Sequence, residues 1–504
     1  MDTSSGREIE LKFDVDDQSE LPRLQDLPGV TGIERPVEHH LEAVYFDTDS
    51  LMLAAHHITL RRRAGGDDAG WHLKLPIGAS ERQEIHAPLT GDSTTVPESL
   101  ARLVRVLVRD RPLVAVALLR TRRIVHRLRG PEGESLADVC DDRVEADRLV
   151  PAPEHASWRE WEIELVEGPV SLLDAGRELL AAGGIRPSIH ASKLGRALGD
   201  LFPAEPTPAP VATSSGAAAS VLLAYAHDQV RTIAEQDPRV RNDAPEAVHE
   251  MRVATRRLRT ALATYAPLLA DEAGTARLRT ELRWLSGTLG AARDEHVQEA
   301  RLLKLVSKEP TELLLGPVAA RVAAQFEARA EAALGDLLSV LDGTRYFRLL
   351  DDLDDLLAAP RFTNLAYRSA RKVIPDLLER DWKRVRKAVR AAAHAPAGPE
   401  HDHALHEVRK SAKRLRYAAE TALPVRRTSA RRLATDAQKL QTILGEHQDS
   451  VIARDLLLGR CTAEAYAHGE NTFTYGRLHA REEQRGADAV ARFHRAWKAF
   501  SRPE

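Results

Sequence analysis

Glu8, Glu10 and Lys12 stand two residues apart in Glu8-Ile9-Glu10-Leu11-Lys12, the spacing that puts all three on one face of a β-strand. Carboxylates side by side hold divalent cations through oxygen, and an ammonium beside them holds an anion. This period-two pattern recurs through the first half of the chain. Arg61 and Arg63 share a face, His72 and Lys74 lie across from Trp71, Leu73 and Leu75, and Arg82, Glu84 and His86 alternate. Arg120 and Arg122 follow, then Asp138, Cys140 and Asp142, and finally Glu162 and Glu164 opposite Trp161, Ile163 and Leu165. One such strand fits a sheet whose charged side meets water. Seven of them, charged on one face and apolar on the other, fit a sheet closed on itself, because charges taken out of water need partners or a metal.

An antiparallel barrel would gather these charges inside and press its apolar outer faces against helices. Acids suit divalent cations, Lys and Arg suit phosphate oxygens, and the two together describe a metal-bound polyphosphate. Cleaving a phosphoanhydride needs charge neutralised on the non-bridging oxygens and a water in line, so positioning and electrostatics carry the reaction. On that chemistry Lys12, Arg61, Arg63, Lys74, Arg82, Arg122 and Lys193 are assigned to phosphate oxygens. Register is open by one or two positions here, with Arg120 a rival of Arg122 and Asp141 a rival of Asp142.

Residues 6–202 resemble the CYTH domain of the triphosphate tunnel metalloenzymes. The resemblance is carried by Glu8, Glu10 and Lys12, Arg61 with Arg63, Lys74, Arg82 with Glu84, Arg122, Glu162 with Glu164, and Ser192-Lys193-Leu194-Gly195-Arg196. It implies an eight-stranded antiparallel tunnel that binds a triphosphate through Lys and Arg. It also implies one or two Mg²⁺ or Mn²⁺ ions held by Glu8, Glu10, Glu162 and Glu164, with Asp142 as a further ligand, and Glu8, Glu10 and Lys12 as the catalytic set. The family includes inorganic, thiamine and RNA triphosphatases and class IV adenylate cyclases.

The second half repeats itself. Val248-His249-Glu250-Met251-Arg252 and its continuation to Arg259 match Leu405-His406-Glu407-Val408-Arg409 and its continuation to Arg416. Leu289-Gly290 with Asp294 likewise matches Leu444-Gly445 with Asp449. Helical spacing makes Val248, Met251, Thr255, Leu258 and Leu262 a core stripe, as it does Leu405, Val408, Ala412, Leu415 and Ala419. One residue later run His249, Arg252, Arg256 and Arg259, and in the second copy His406, Arg409, Lys413 and Arg416. A single basic stripe fits a solvated helix face; the same register in both copies points to an anion-binding groove between them.

On these residues, roughly 217 to 500 resemble the CHAD domain, the conserved-histidine α-helical domain. The resemblance implies binding of long-chain inorganic polyphosphate in a basic channel, and association with polyphosphate granules. Such a polyanion would also raise the pKa of His249 and His406, so that binding strengthens as pH falls.

The remaining features set bounds. A chain of 504 residues, 43% hydrophobic, fits a globular protein of two to four domains. Residues 1–216 hold 25 Lys and Arg against 36 Asp and Glu, net −11, and the remainder 47 against 39, net +8. Two cysteines, Cys140 and Cys461, are too few for a disulfide framework. With no apolar leader at the start, and Leu113–Leu119 the longest apolar run, the expectation is a cytoplasmic protein with no membrane partner. Phosphate-loop and dinucleotide fingerprints are absent, and the His-Glu pairs at His249 and His406 lack a second histidine four residues on.

The expected architecture is α+β and multidomain. An N-terminal antiparallel eight-stranded β tunnel with flanking helices occupies residues 1–202, a Pro-rich linker 203–216, and an all-α domain of two duplicated helical bundles 217–504. The expected activity is metal-dependent hydrolysis of inorganic tripolyphosphate or another triphosphate, joined to polyphosphate binding. The alternatives are a non-catalytic, granule-associated polyphosphate-binding protein and, with less support because no residue selects adenine, a cyclase-like enzyme. Specific nucleic-acid binding is not expected, since few aromatics interleave the basic residues.

Overall fold

The computed structural model describes residues 4–76, 81–89, 95–150, 152–190, 192–203, 210–244 and 246–500. The chain divides into two compact units, Met1–Thr207 and Pro208–Glu504. Of the expected linker over 203–216, residues 204–209 lie outside the described residues.

Alternation of charged and apolar residues in the first unit yields ten strands: β1 (Ser4–Val15), β2 (Gly32–Ile33), β3 (Val37–Asp47), β4 (Thr59–Ala64), β5 (Gly70–Pro76), β6 (Glu81–Ala87), β7 (Val114–Arg129), β8 (Ser135–Arg148), β9 (Glu154–Leu165) and β10 (Arg186–Pro187). Eight of them pair in the order β1-β6-β5-β4-β3-β7-β8-β9, and β9 pairs back to β1, so the antiparallel sheet closes. The short β2 and β10 flank β7 and β1. Closure removes the exposed edges an open sheet would leave, and it commits every strand to one inner and one outer face.

Short helices cover the outer apolar faces: α1 (Met52–Ala55), α2 (Glu98–Val108) and α3 (Ser171–Ala182). Leu172, Leu173 and Leu180 of α3 pack on Phe13, Trp161 and Ile163, while Leu100, Leu103 and Val104 of α2 pack on Leu60, Trp71 and Leu73. Each such side chain contributes about 1.5–3 kcal/mol when withdrawn from water. The fourth helix, α4 (Lys193–Leu198), differs. Its Leu194 and Leu198 pack on Tyr45 and Leu119, two residues that also line the interior of the barrel. Ser192 caps this helix, its Oγ accepting from Gly195 N at 3.0 Å, and so fixes the direction in which Lys193 leaves the first turn.

The second unit is helical: α5 (Ala218–Arg241), α6 (Ala247–Thr264), α7 (Glu272–Val306), α8 (Val318–Leu341), α9 (Thr344–Ala358), α10 (Ala370–His394), α11 (Pro399–Thr421), α12 (Arg427–Asp455), α13 (Thr462–Ala467) and α14 (Phe473–Lys498). Sequential packing of α5, α6, α7 and α8 makes one bundle, and that of α10, α11, α12 and α14 the other. They meet where α6 packs on α11 and α5 on α10, and a bridge joins Ala217 to Ser369 just ahead of the latter pair. The expected core stripes are buried in both copies except for Val248, which is half-buried at the start of its helix. No described helix is long and apolar enough to cross a membrane.

Candidate functional site

Register decides which charges meet. Glu10 faces Glu164 across the β1–β9 pair and Lys12 faces Glu162, Glu8 faces Arg82 across β1–β6, and Lys74 faces Glu84 across β5–β6. Arg123 of β7 faces Asp142 of β8, which faces Glu160 of β9. Directly opposed residues of an antiparallel pair share a face, and these side chains, with Tyr45, Arg61, Arg63 and Lys193, lie within the barrel.

The interior is divided by charge. Most of its carboxylates come from the adjacent strands β1, β9 and β8: Glu8 and Glu10, then Glu160, Glu162 and Glu164, then Asp142; Glu84 of β6 stands apart, among the cations, 3.7 Å from Lys74. Most cations come from the facing wall: Arg61 and Arg63 on β4, Lys74 on β5, Arg82 on β6 and Arg123 on β7. The walls reach across to each other. Lys74 Nζ stands 2.5 Å from Glu8 Oε1, and Arg123 donates from Nε and Nη2 to the two oxygens of Asp142 at 2.8 and 2.6 Å and also pairs with Glu162. Lys12 pairs with Glu162 and lies 2.7 Å from Glu10 Oε2. Lys193 sits within reach of three acids, 2.9 Å from Asp142, 2.7 Å from Glu160 and 2.6 Å from Glu162. The cavity among these side chains measures about 100 Å³.

Desolvation makes the pairing obligatory. Burial opposes the Lys12 ammonium, but Glu10 and Glu162 more than compensate and its pKa is raised. Burial likewise opposes ionised Glu162, and Lys12, Lys193 and Arg123 hold it well below the usual carboxylate range. For Glu164 the compensation by Lys74 and Arg123 falls short. Burial, with Glu8 and Glu10 nearby, pushes it up to about 7.

Asp142, Glu160 and Glu162 each offer an oxygen, all within 4.8 Å of one another. Purely carboxylate donors at that spacing suit a hard cation such as Mg²⁺ or Mn²⁺. Glu160 was absent from the sequence-based set, although Glu160, Glu162 and Glu164 form an unbroken period-two run that places it with the others.

One assignment is corrected. Arg122 does not enter the tunnel; it is exposed on the outer face, where Nε and Nη2 each donate to Glu38 at 2.8 Å. Its neighbour Arg123 takes the inner position, because β8 pairs with β7 in the register that sets Arg122 opposite Arg143 and Arg123 opposite Asp142. Arg120 is also outside, bonded to Asp147. Both arginines line a wide outer concavity of about 1010 Å³, but each is bonded to its own carboxylate, whereas the tunnel joins a mainly acidic wall to a mainly basic one.

In the helical unit the two basic stripes converge where α6 packs on α11. Lys413 is pushed down to about 6 by burial and then by Arg256, Arg409, Arg252 and Arg259; Arg256 is lowered by burial and by Arg252, Arg409 and Arg259. Five cations from two helices thus crowd together. The repeated Leu-Gly, with the Asp of the first copy, explains how Arg252 and Arg409 are held. A Cβ on Gly290 would lie 3.4 Å from Arg252 Cζ, and one on Gly445 3.5 Å from Arg409 Nε, so the missing side chains leave each guanidinium its place. Asp294, one turn beyond Gly290, accepts from Arg252 Nη1 at 2.6 Å. Arg416 differs from its counterpart Arg259, since it is bonded to Glu420 at 2.8 Å and lies over the Tyr417 ring. His249 is exposed near the start of α6, and burial, followed by Arg293, lowers its pKa. His406 is half-buried and lowered mainly by burial.

Comparison with known proteins agrees with this division. A CYTH domain model matches residues 6–194 and a CHAD domain model residues 224–458. An uncharacterized protein of Mycobacterium tuberculosis is 39% identical over 499 residues, covering 94% of this chain and 92% of its own. Among solved structures, PptA from Streptomyces chartreusis is 23% identical with a TM-score of 0.45, covering 56% of this chain and 100% of its own. The CHAD domain from the plant Ricinus communis is 25% identical with a TM-score of 0.48, covering 59% of this chain and 97% of its own. The chain belongs with the Mycobacterium tuberculosis protein in one family and joins a CYTH domain, of the triphosphate-tunnel type, to a CHAD domain.

Proposed function

We propose that the protein is a metal-dependent hydrolase of inorganic triphosphate, or of closely related tri- and polyphosphates, whose helical domain binds long-chain inorganic polyphosphate and tethers the enzyme to polyphosphate granules. The observation that carries this reading is the facing of a carboxylate wall and a cation wall inside one closed barrel. Water alone would not require both. A divalent cation held by Asp142, Glu160 and Glu162, with Glu8, Glu10 and Glu164 beside them, would neutralise phosphate oxygens and activate a water.

The chain's own cations do the rest. Arg61, Arg63, Lys74, Arg82 and Arg123 bind non-bridging oxygens and hold the chain of phosphates straight for in-line attack. Lys12 and Lys193, which pair with acids, offer the same ammonium groups to phosphate. The groove between α6 and α11 suits a flexible polyanion with about one charge per phosphate, bound with release of counterions.

Phosphate release from tripolyphosphate, ATP and long-chain polyphosphate, each with Mg²⁺, Mn²⁺ and a chelator, tests the proposal. Fast, metal-dependent release from tripolyphosphate is expected, with ATP slower. Tight polyphosphate binding with no turnover of any of the three would make the tunnel a second binding module and overturn the enzymatic part.

A further inference from the structure

A second row of cations lies on α10, away from the twin stripes. Arg380, Lys383, Arg384, Lys387 and Arg390 are all exposed and fall at i, i+3, i+4, i+7 and i+10, which is one face of a helix. The opposite face, with Trp382, Val385 and Ala392, is buried. From Trp382 to His394 the helix contains no acid at all. Arg384 shares Asp381 with Arg414 of α11, at 3.9 and 2.6 Å, and Lys383 reaches Glu379 only at 3.9 Å. Arg380, Lys387 and Arg390 have no carboxylate partner among the described residues.

Electrostatic neighbours link this row to the groove. Arg259, at the groove's end, is lowered in pKa by burial and by Arg283 and Arg279. Arg414 is lowered by burial against the pull of Asp381, with Arg384 and Arg279 contributing. Arg279 therefore neighbours both, and the cations run Arg256, Arg259, Arg279, Arg414, Arg384 and on to α10. The duplicated architecture supplies an internal control. At the corresponding place in the first bundle α5 carries Asp228, Arg231 and Glu235, and Arg231 pairs with both acids. Helical packing alone therefore does not demand an unpaired basic row here.

We infer that the exposed face of α10 continues the polyanion track out of the α6–α11 groove, so that a long polyphosphate leaves over the second bundle. The inference rests on the reading of the groove as a polyphosphate site. It also commits to an occupant, a linear chain of phosphates, because a row about 15 Å long at the helical rise, with no aromatic side chain exposed on it, offers phosphate contacts and nothing for bases.

The test compares chain lengths on the full-length protein. Salt dependence of binding is measured for linear hexaphosphate and for long-chain polyphosphate, with the wild type, a Lys383→Gln, Lys387→Gln, Arg390→Gln triple variant, and an Arg252→Gln, Arg409→Gln groove variant. The triple variant is expected to bind the long chain about tenfold more weakly, with a salt slope lower by about two for three lost contacts, and to bind hexaphosphate as the wild type does. Loss of both ligands in the groove variant supports the groove reading independently. Wild-type affinity and slope for the long chain in the triple variant, while the groove variant fails, would overturn the track alone. Equal weakening for both lengths would also overturn it, since the row would then act only as part of the general field. Indifference of the groove variant would overturn the polyphosphate reading itself.

Discussion

Arg123 closes a two-pronged pair on Asp142 inside the barrel, Nε to Oδ1 at 2.8 Å and Nη2 to Oδ2 at 2.6 Å, while Arg122, one residue earlier, is bonded to Glu38 outside. Two adjacent arginines thus do unrelated jobs. Arg122→Ala removes an exposed, solvent-screened pair and should leave turnover unchanged. Arg123→Ala removes the proposed phosphate contact and one partner of a fully buried acid, a loss on the order of 3–5 kcal/mol when nothing remains and smaller here because Lys193 stays beside Asp142. Thermal melts and tripolyphosphate hydrolysis of both variants check this, and equal effects would contradict the register.

Glu10→Gln should lower turnover by orders of magnitude with the fold retained, because an amide is a poor ligand for a hard cation. Chelation of divalent metal should do the same to the wild type. Hydrolysis that persists with chelator, or full activity in Glu10→Gln, would show that the acid wall is not a metal site. Lys12→Ala should weaken substrate binding as well as rate, visible as a rise in KM with a fall in kcat.

Replacing Arg252 and Arg409 together by Glu should abolish polyphosphate binding through lost contacts and repulsion at the centre of the groove. Binding by the wild type should fall steeply with salt. Double-stranded DNA added as competitor gives the decisive measurement: displacement at or below the concentration of polyphosphate needed would make the groove a general polyanion site.

Lys413 should couple binding to protons. Its folded pKa, about 6, lies below the ordinary 10.5, so between those values the unfolded chain holds the extra proton and stability rises with pH through that window. A bound polyanion opposes Arg252, Arg256, Arg259 and Arg409 and restores the ammonium. Binding near pH 8 should therefore take up about one proton, and affinity should rise as pH falls toward 6, with His249 and His406 adding to it at lower pH. Calorimetry in buffers of different ionisation enthalpy reads the proton directly, and Lys413→Met should remove the uptake.

Gly290→Ala and Gly290→Leu should part ways. A Cβ at this position just touches the Arg252 guanidinium, 3.4 Å away, so Ala should fit and stabilise the helix by about 1 kcal/mol. Leu should drive Arg252 off Asp294 and weaken polyphosphate binding. Melting and binding measured on both variants test this, and loss of binding in the Ala variant would refute the packing account.

Alternating charge along the strands determined that the first half would be a sheet with a charged interior, since each residue type in Glu8-Ile9-Glu10-Leu11-Lys12 has only one face on which it is stable. The repeat at His249 and His406 likewise determined two related bundles with a buried stripe beside a basic one. Where three arginines stand in four residues, as from Arg120 to Arg123, periodicity cannot choose a face, and only the pairing of β7 with β8 sent Arg123 inward and Arg122 out. The exposure of α10's cations, the guanidiniums seated over Gly290 and Gly445, and the gathering of Lys193 with three acids were also decided in three dimensions. Those contacts join residues about 30 to 50 positions apart, and spacing along a chain carries no information about which distant elements will pack together.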